Sequence, residues 1–139
     1  SQACLNYDEV WLSIGSGCTF TGIEQSLPKS ISIKGVMAIK GGQELGQALI
    51  AGALCPARCE IDYDSHFGGF GRCPAQLIDF IHRLDEQYCP LDPVYTAKMV
   101  SAFYRDWDGA VLDKTKRYLL IHSGGLQGRS GIEGLTKAQ

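Results

Sequence analysis

The spacing of apolar side chains along this chain switches repeatedly between the period of a strand and that of a helix. The segment "EVWLSI" predicts a strand over Val10 to Ile14, and the segment from Ile31 to Ala38, with β-branched residues at alternate positions, predicts a second. Between them lies a glycine-rich loop and a short helix from about Phe20 to Ser26. "GGQELGQALIAGAL" predicts a helix from about Gln43 to Leu54, stopped by Pro56, and "RCEIDYD" a short strand that runs into the bare "HFGGFGR". Leu77, Phe80, Ile81 and Leu84 recur at helical spacing in "CPAQLIDFIHRLDEQY", as do Val94, Met99 and Phe103 in "VYTAKMVSAFYRDW". Both helices are expected to face a core. The last element, "RYLLIHSGG", is an apolar strand delivered directly into Ser123 and two glycines, the ending of a buried parallel strand that carries a ligand loop. This alternation predicts an α/β fold, a mostly parallel sheet with flanking helices.

At 139 residues, 45% of them hydrophobic and 20% charged, the chain can bury one core. Its formal net charge of -2 and the absence of a Lys/Arg run argue against nucleic acid as a partner. Apolar stretches such as Ala48 to Leu54 fall far short of the roughly 20 residues that span a bilayer, so no membrane association is expected. The six cysteines do not form a dense disulfide framework and are expected to be free thiols. Cys55, Cys59, His66 and Cys73 lack the regular paired spacing of a zinc site, and no metal is expected.

The loop after the first strand, "GSGCTFTG", is where the chemistry concentrates. Gly17 and Gly22 have the spacing of a nucleoside-triphosphate loop, but Ile23 stands where its lysine must be. The dinucleotide fingerprint fails as well, because Phe20 occupies the position of its last glycine and no acidic residue closes the next strand. A general anion cradle remains: bare backbone N–H groups, hydroxyls from Ser16, Thr19 and Thr21, and the positive end of the following helix. A tight strand-to-helix turn that binds nothing explains the same residues.

Four segments taken in order, "GSGCTFTG", "HFGGFGR", "LDPVYTAKM" and "LLIHSGG", resemble the C-terminal half of the pyridoxal-5'-phosphate enzymes comprising 1-aminocyclopropane-1-carboxylate (ACC) deaminase and D-cysteine desulfhydrase, which share the fold of the tryptophan synthase β subunit. The resemblance runs from about Tyr7 to Gly125 and implies a pyridoxal-phosphate lyase or deaminase that converts a small amino acid into ammonia and a 2-oxo acid. It implies that Gly15, Ser16, Gly17, Thr19 and Gly22 surround the cofactor phosphate, that Tyr95 is a catalytic acid/base, and that Ser123 and Gly124 face the cofactor. Thr96 matches the position that is Glu in the ring-opening deaminases and Thr in the desulfhydrase-like members, where it lies beside the pyridine nitrogen; it points to desulfhydrase-like chemistry. Phe70 replaces the tyrosine of many relatives, and His122 is read as a core or capping residue.

The lysine that holds the cofactor as a Schiff base lies upstream of the glycine loop in this family, and no lysine here matches it. Lys98 is read as a solvated helix residue. The chain is therefore expected to be a C-terminal part of a cytoplasmic catalytic domain, inactive alone, that forms a homo-oligomer or obtains its N-terminal half elsewhere. The helices carrying Leu77, Phe80, Ile81, Met99 and Phe103 are expected to be left short of packing partners. A non-catalytic α/β module that binds a phosphate-bearing ligand is the alternative.

Overall fold

A computed structural model describes residues 6–68, 73–87 and 95–122. Four parallel strands form one sheet: β1 (Glu9–Ile14), β2 (Ser32–Met37), β3 (Cys59–Asp62) and β4 (Tyr118–Leu120), in the order β3-β2-β1-β4. The register aligns Val10 with Ile33 and with Leu119, and Gly35 with Ile61, so the strands are stacked with little stagger. Helices α1 (Cys18–Ser26) and α2 (Gln43–Ala51) connect the first three strands. A short 3-10 turn, Pro56–Arg58, leads into β3, and α3 (Ala75–Gln87) and α4 (Thr96–Asp108) lie between β3 and β4. The α/β architecture expected from the alternating pattern is thus present. Element boundaries move slightly: α1 starts at Cys18, ahead of Phe20, and α2 ends at Ala51, where Gly52 caps it before Pro56 is reached.

Strand alternation sorts the core into layers. Val10, Leu12 and Ile14 of β1, Ile33 and Met37 of β2 and Ile61 of β3 pack with Phe20 and Ile23 of α1 and with Leu45, Leu49 and Ile50 of α2. The opposite face sets Trp11 and Val36 against Met99 and Ala102 of α4. Behind α4 sits α3, whose Leu77, Ile81 and Leu84 close over Ala97. Each such fully buried side chain contributes about 1.5–3 kcal/mol relative to exposure. The expectation that α3 and α4 lack packing partners is corrected here. Leu77, Ile81 and Met99 are fully buried, because α4 presents one side to the sheet and another to α3.

Two ion-pair networks tie the layers together. Glu24 of α1, only 2% exposed, accepts hydrogen bonds from the backbone amides of Leu54 and Cys55 at 2.6 and 3.2 Å and from the Arg58 guanidinium at 2.8 Å. Arg58 also donates to the carbonyls of Pro28, Ile31 and Glu24. On the other face, Asp62 at the end of β3 accepts hydrogen bonds from Ser65, the Asp64 amide and Arg105 of α4 at 2.8, 2.8 and 2.9 Å. Burial pushes both carboxyls up, and the donated hydrogen bonds outweigh it, so Glu24 and Asp62 both titrate below the ordinary carboxylate range.

The strand order has a direct consequence for where a ligand can bind. From β1 the chain goes to β2 on one side, and β4 returns on the other, which puts the switch point of the sheet between β1 and β4. In open parallel sheets the crevice at the carboxyl ends of the strands, at this point, is the place where ligands sit.

Candidate functional site

The glycine loop leaves β1 at that switch point. After Ile14 the backbone turns through Gly15 and Ser16 to Gly17, whose φ of 93° and ψ of -5° lie in the left-handed region that favours glycine. Gly17 is the N-cap residue of α1 and supplies no side-chain cap, so the first amides of the helix face outward with their partial positive charge. The first turn of α1 carries no acidic residue. Ser16 turns back over this end, its Oγ accepting a hydrogen bond from the Cys18 amide at 3.4 Å.

Tyr95, the N-cap residue of α4, closes the other side. Its ring lies directly on the glycine loop: a Cβ added to Gly15 would stand 2.6 Å from Cε1 and 3.1 Å from the phenol oxygen of Tyr95. Gly15 is therefore required for this approach. Between the loop and the ring is an open cleft of about 210 Å³, lined by Ser13, Gly15, Ser16, Gly17, Thr19, Phe20 and Tyr95. Bare amides, hydroxyls and a helix N-terminus fit a monoanionic or dianionic phosphate group, and the phenol adds one proton-transferring group at its edge.

The structure thus brings five residues singled out in the sequence, Gly15, Ser16, Gly17, Thr19 and Tyr95, to one cleft. It does not bring Gly22 there. Gly22 is exposed in the middle of α1, with open space where a Cβ would be, and its carbonyl accepts from Ser26 Oγ at 2.7 Å. Thr96 is fully buried beside Tyr95 at the start of α4 and does not line the cleft. Ser123 and Gly124 lie outside the described residues, as does Phe70; β4 is parallel to β1, and the Ile121 amide donates to the Trp11 carbonyl at 2.9 Å. His122 is exposed.

Lys98 departs from its expected place. Rather than lying on a solvated face it is fully buried, in a row with Thr96, Ala97 and Met99. The amphipathic pattern describes the later turns of α4, whereas the first turn is inserted between the sheet and α3 and is covered on all sides. The Lys98 ammonium lies near enough to Cys73 to counter part of the upward push that burial gives that thiol. Two residues of the cleft were missed in the sequence, Ser13 and Phe20. Strand alternation carried a signal for Ser13, a lone hydroxyl at the end of an otherwise apolar strand.

Cys18, Cys55, Cys59 and Cys73 are free thiols. Among the described residues no group of three or more His, Cys, Asp or Glu side chains is placed to hold a metal ion, and no helix is long and apolar enough to cross a membrane.

No family model matches the chain, and no curated protein matches it in sequence. Among solved structures, the crystal structure of an ACC deaminase homologue superposes on it with a TM-score of 0.79 at 25% identity, covering 94% of this chain and 44% of that one. The chain has that fold. It spans less than half the length of the structure it matches.

Proposed function

We propose that this chain supplies the phosphate-binding and proton-transfer side of a pyridoxal-phosphate-dependent enzyme that acts on a small amino acid, with desulfhydrase-like β-elimination as its reaction. The observation that carries the reading is the Tyr95 ring seated on Gly15, facing the N-terminus of α1, in a fold shared with an ACC deaminase homologue. When bound, the cofactor supplies an electron sink for the bonds around the substrate α carbon.

The backbone amides at Gly17 to Thr19, with the hydroxyls of Ser16 and Thr19, would hold its phosphate. The Tyr95 phenol moves a proton to or from the substrate. The resemblance assigns Thr96 to the pyridine nitrogen; it is buried next to Tyr95 and outside the lining of the cleft, so the ring would have to extend past Tyr95 toward the start of α4 to meet this neutral hydroxyl. Such a partner would leave the nitrogen uncharged and suit departure of a good leaving group such as thiolate over opening of a cyclopropane ring. The family resemblance assigns the opposite wall of the site to Ser123 and Gly124, which lie outside the described residues. The lysine that joins the cofactor covalently would come from the part of the fold outside these residues. The runner-up, a phosphate-ligand module without catalysis, is favoured by the lining of the cleft, which holds no lysine among the described residues.

The test is activity in a full-length protein containing this chain and loaded with pyridoxal phosphate. Release of ammonia and a 2-oxo acid from D-cysteine is expected, with Tyr95→Phe slower by about 100- to 10,000-fold. No turnover and no spectral change with D-cysteine, ACC or similar amino acids would overturn the reading.

A further inference from the structure

We infer that Ser13 is a positioning residue of the cleft, contacting the ring end of a phosphate-bearing ligand whose phosphate rests on the glycine loop; this rests on the cleft being the cofactor site proposed above. Side chains of β1 alternate, with Val10, Leu12 and Ile14 packed toward α1 and α2 and Trp11 packed toward α4. Ser13 shares the side of Trp11, and this is the side from which Tyr95, at the start of α4, reaches over Gly15. It is half-buried, lines the cleft together with Tyr95, and its hydroxyl makes no hydrogen bond to any described residue. All other hydroxyls of the cleft differ in position: Ser16 and Thr19 belong to the loop and the first turn of α1, and the phenol belongs to α4.

The geometry divides the cleft into two ends. Charge recognition resides at the α1 N-terminus, where amides and loop hydroxyls meet an anion. Ser13 sits four residues before the N-cap Gly17, at the carboxyl end of the interior strand β1, where an anion held by the loop would have its organic substituent. A half-buried serine there can donate to or accept from a polar ring atom and so orient the ring beneath Tyr95.

Binding of two probes by the 139-residue chain separates these ends: inorganic phosphate, and pyridoxine 5'-phosphate, which has the ring but no aldehyde to react with surface lysines. Ser13→Ala is expected to raise the Kd for pyridoxine 5'-phosphate by about 5- to 10-fold, the worth of one hydrogen bond, and to leave that for inorganic phosphate within about 2-fold. Ser13→Thr, which keeps the hydroxyl, is expected to restore ring-ligand affinity. Gly17→Ala, which strains the left-handed cap, is expected to weaken both probes. Unchanged affinity of Ser13→Ala for pyridoxine 5'-phosphate, or an equal loss for both probes, overturns the role of Ser13 while leaving the phosphate site standing. A wild-type chain that binds neither probe overturns the site and the role of Ser13 together.

Discussion

Glu24 is the residue whose removal should cost this fold most for a single carboxylate. It sits in α1, 2% exposed, and its oxygens accept from the Leu54 amide at 2.6 Å, the Cys55 amide at 3.2 Å, and Arg58 Nε and Nη2 at 3.2 and 2.8 Å. Glu24→Ala leaves two amides and a guanidinium, whose side chain is 5% exposed, without their acceptor. Removing one partner of a buried pair costs about 3–5 kcal/mol, a large fraction of the 5–15 kcal/mol that holds a typical domain folded. For a chain of this size that corresponds to a drop in Tm of about 10–20 °C. The Glu24→Leu/Arg58→Met double variant should recover only the part of the loss that comes from the unpaired guanidinium, because the Leu54 and Cys55 amides and the carbonyls of Pro28, Ile31 and residue 24 still lose these partners. Urea unfolding followed by Trp11 and Trp107 fluorescence measures all three. The sign of the pH dependence follows from the Glu24 carboxyl titrating below its ordinary range in the fold: its contribution is present at neutral pH and above the unfolded value, and is lost as pH falls through the folded value. The difference between wild type and Glu24→Ala should therefore shrink in acid. A Glu24→Ala chain within about 1 kcal/mol of wild type at neutral pH, well short of the cost of breaking a buried pair, would refute the account.

Two further variants probe the cleft. Gly15→Ala puts a methyl 2.6 Å from Tyr95 Cε1, so the ring must retreat by about 1 Å to reach ordinary contact; in the full-length enzyme kcat should fall by about 100-fold, and an unaltered kcat would show that the phenol position is not critical. Thr96→Glu, in the same enzyme, should raise the protonated fraction of the pyridine nitrogen and lower D-cysteine elimination relative to ACC opening; steady-state rates on both substrates that keep their ratio would remove Thr96 as the discriminating position.

Much of the architecture was legible because it depends on local periodicity. The helix at Leu77 to Leu84 buries its apolar stripe where the helical repeat requires, and the strand at Val10 to Ile14 sends Val10, Leu12 and Ile14 to one face and Trp11 to the other, as alternation requires. Lys98 was misread for the same reason. A lysine on an amphipathic helix reads locally as solvated, but burial at the first turn of α4 is decided by α3 and the sheet, which contact that turn from two directions. The Glu24–Arg58 pair was equally invisible: the two residues are 34 positions apart, and nothing in either local pattern marks them as buried. Long-range burial of charge is a tertiary property, and periodicity carries no information about it.

The cleft shows the same division between local and tertiary information. Glycine and hydroxyl content marked the loop as a place where backbone could meet an anion, yet could not separate that use from a tight turn that binds nothing. What separates them is the strand order. With β4 beside β1, the end of β1 becomes the switch point of the sheet, and the loop opens into a crevice instead of lying against a neighbouring connection. The same order brings α4 across the β1 face, so that Tyr95, 80 positions from Gly15 in sequence, comes to rest on its Cα. A turn with no ligand has no need of a glycine under a tyrosine ring, since any small side chain would serve once the ring were moved. The close approach, together with the left-handed Gly17 cap and an α1 first turn free of acidic groups, favours a site over a turn. Ser13 then follows from position alone, as the one polar side chain that β1 presents at that end on the α4 side.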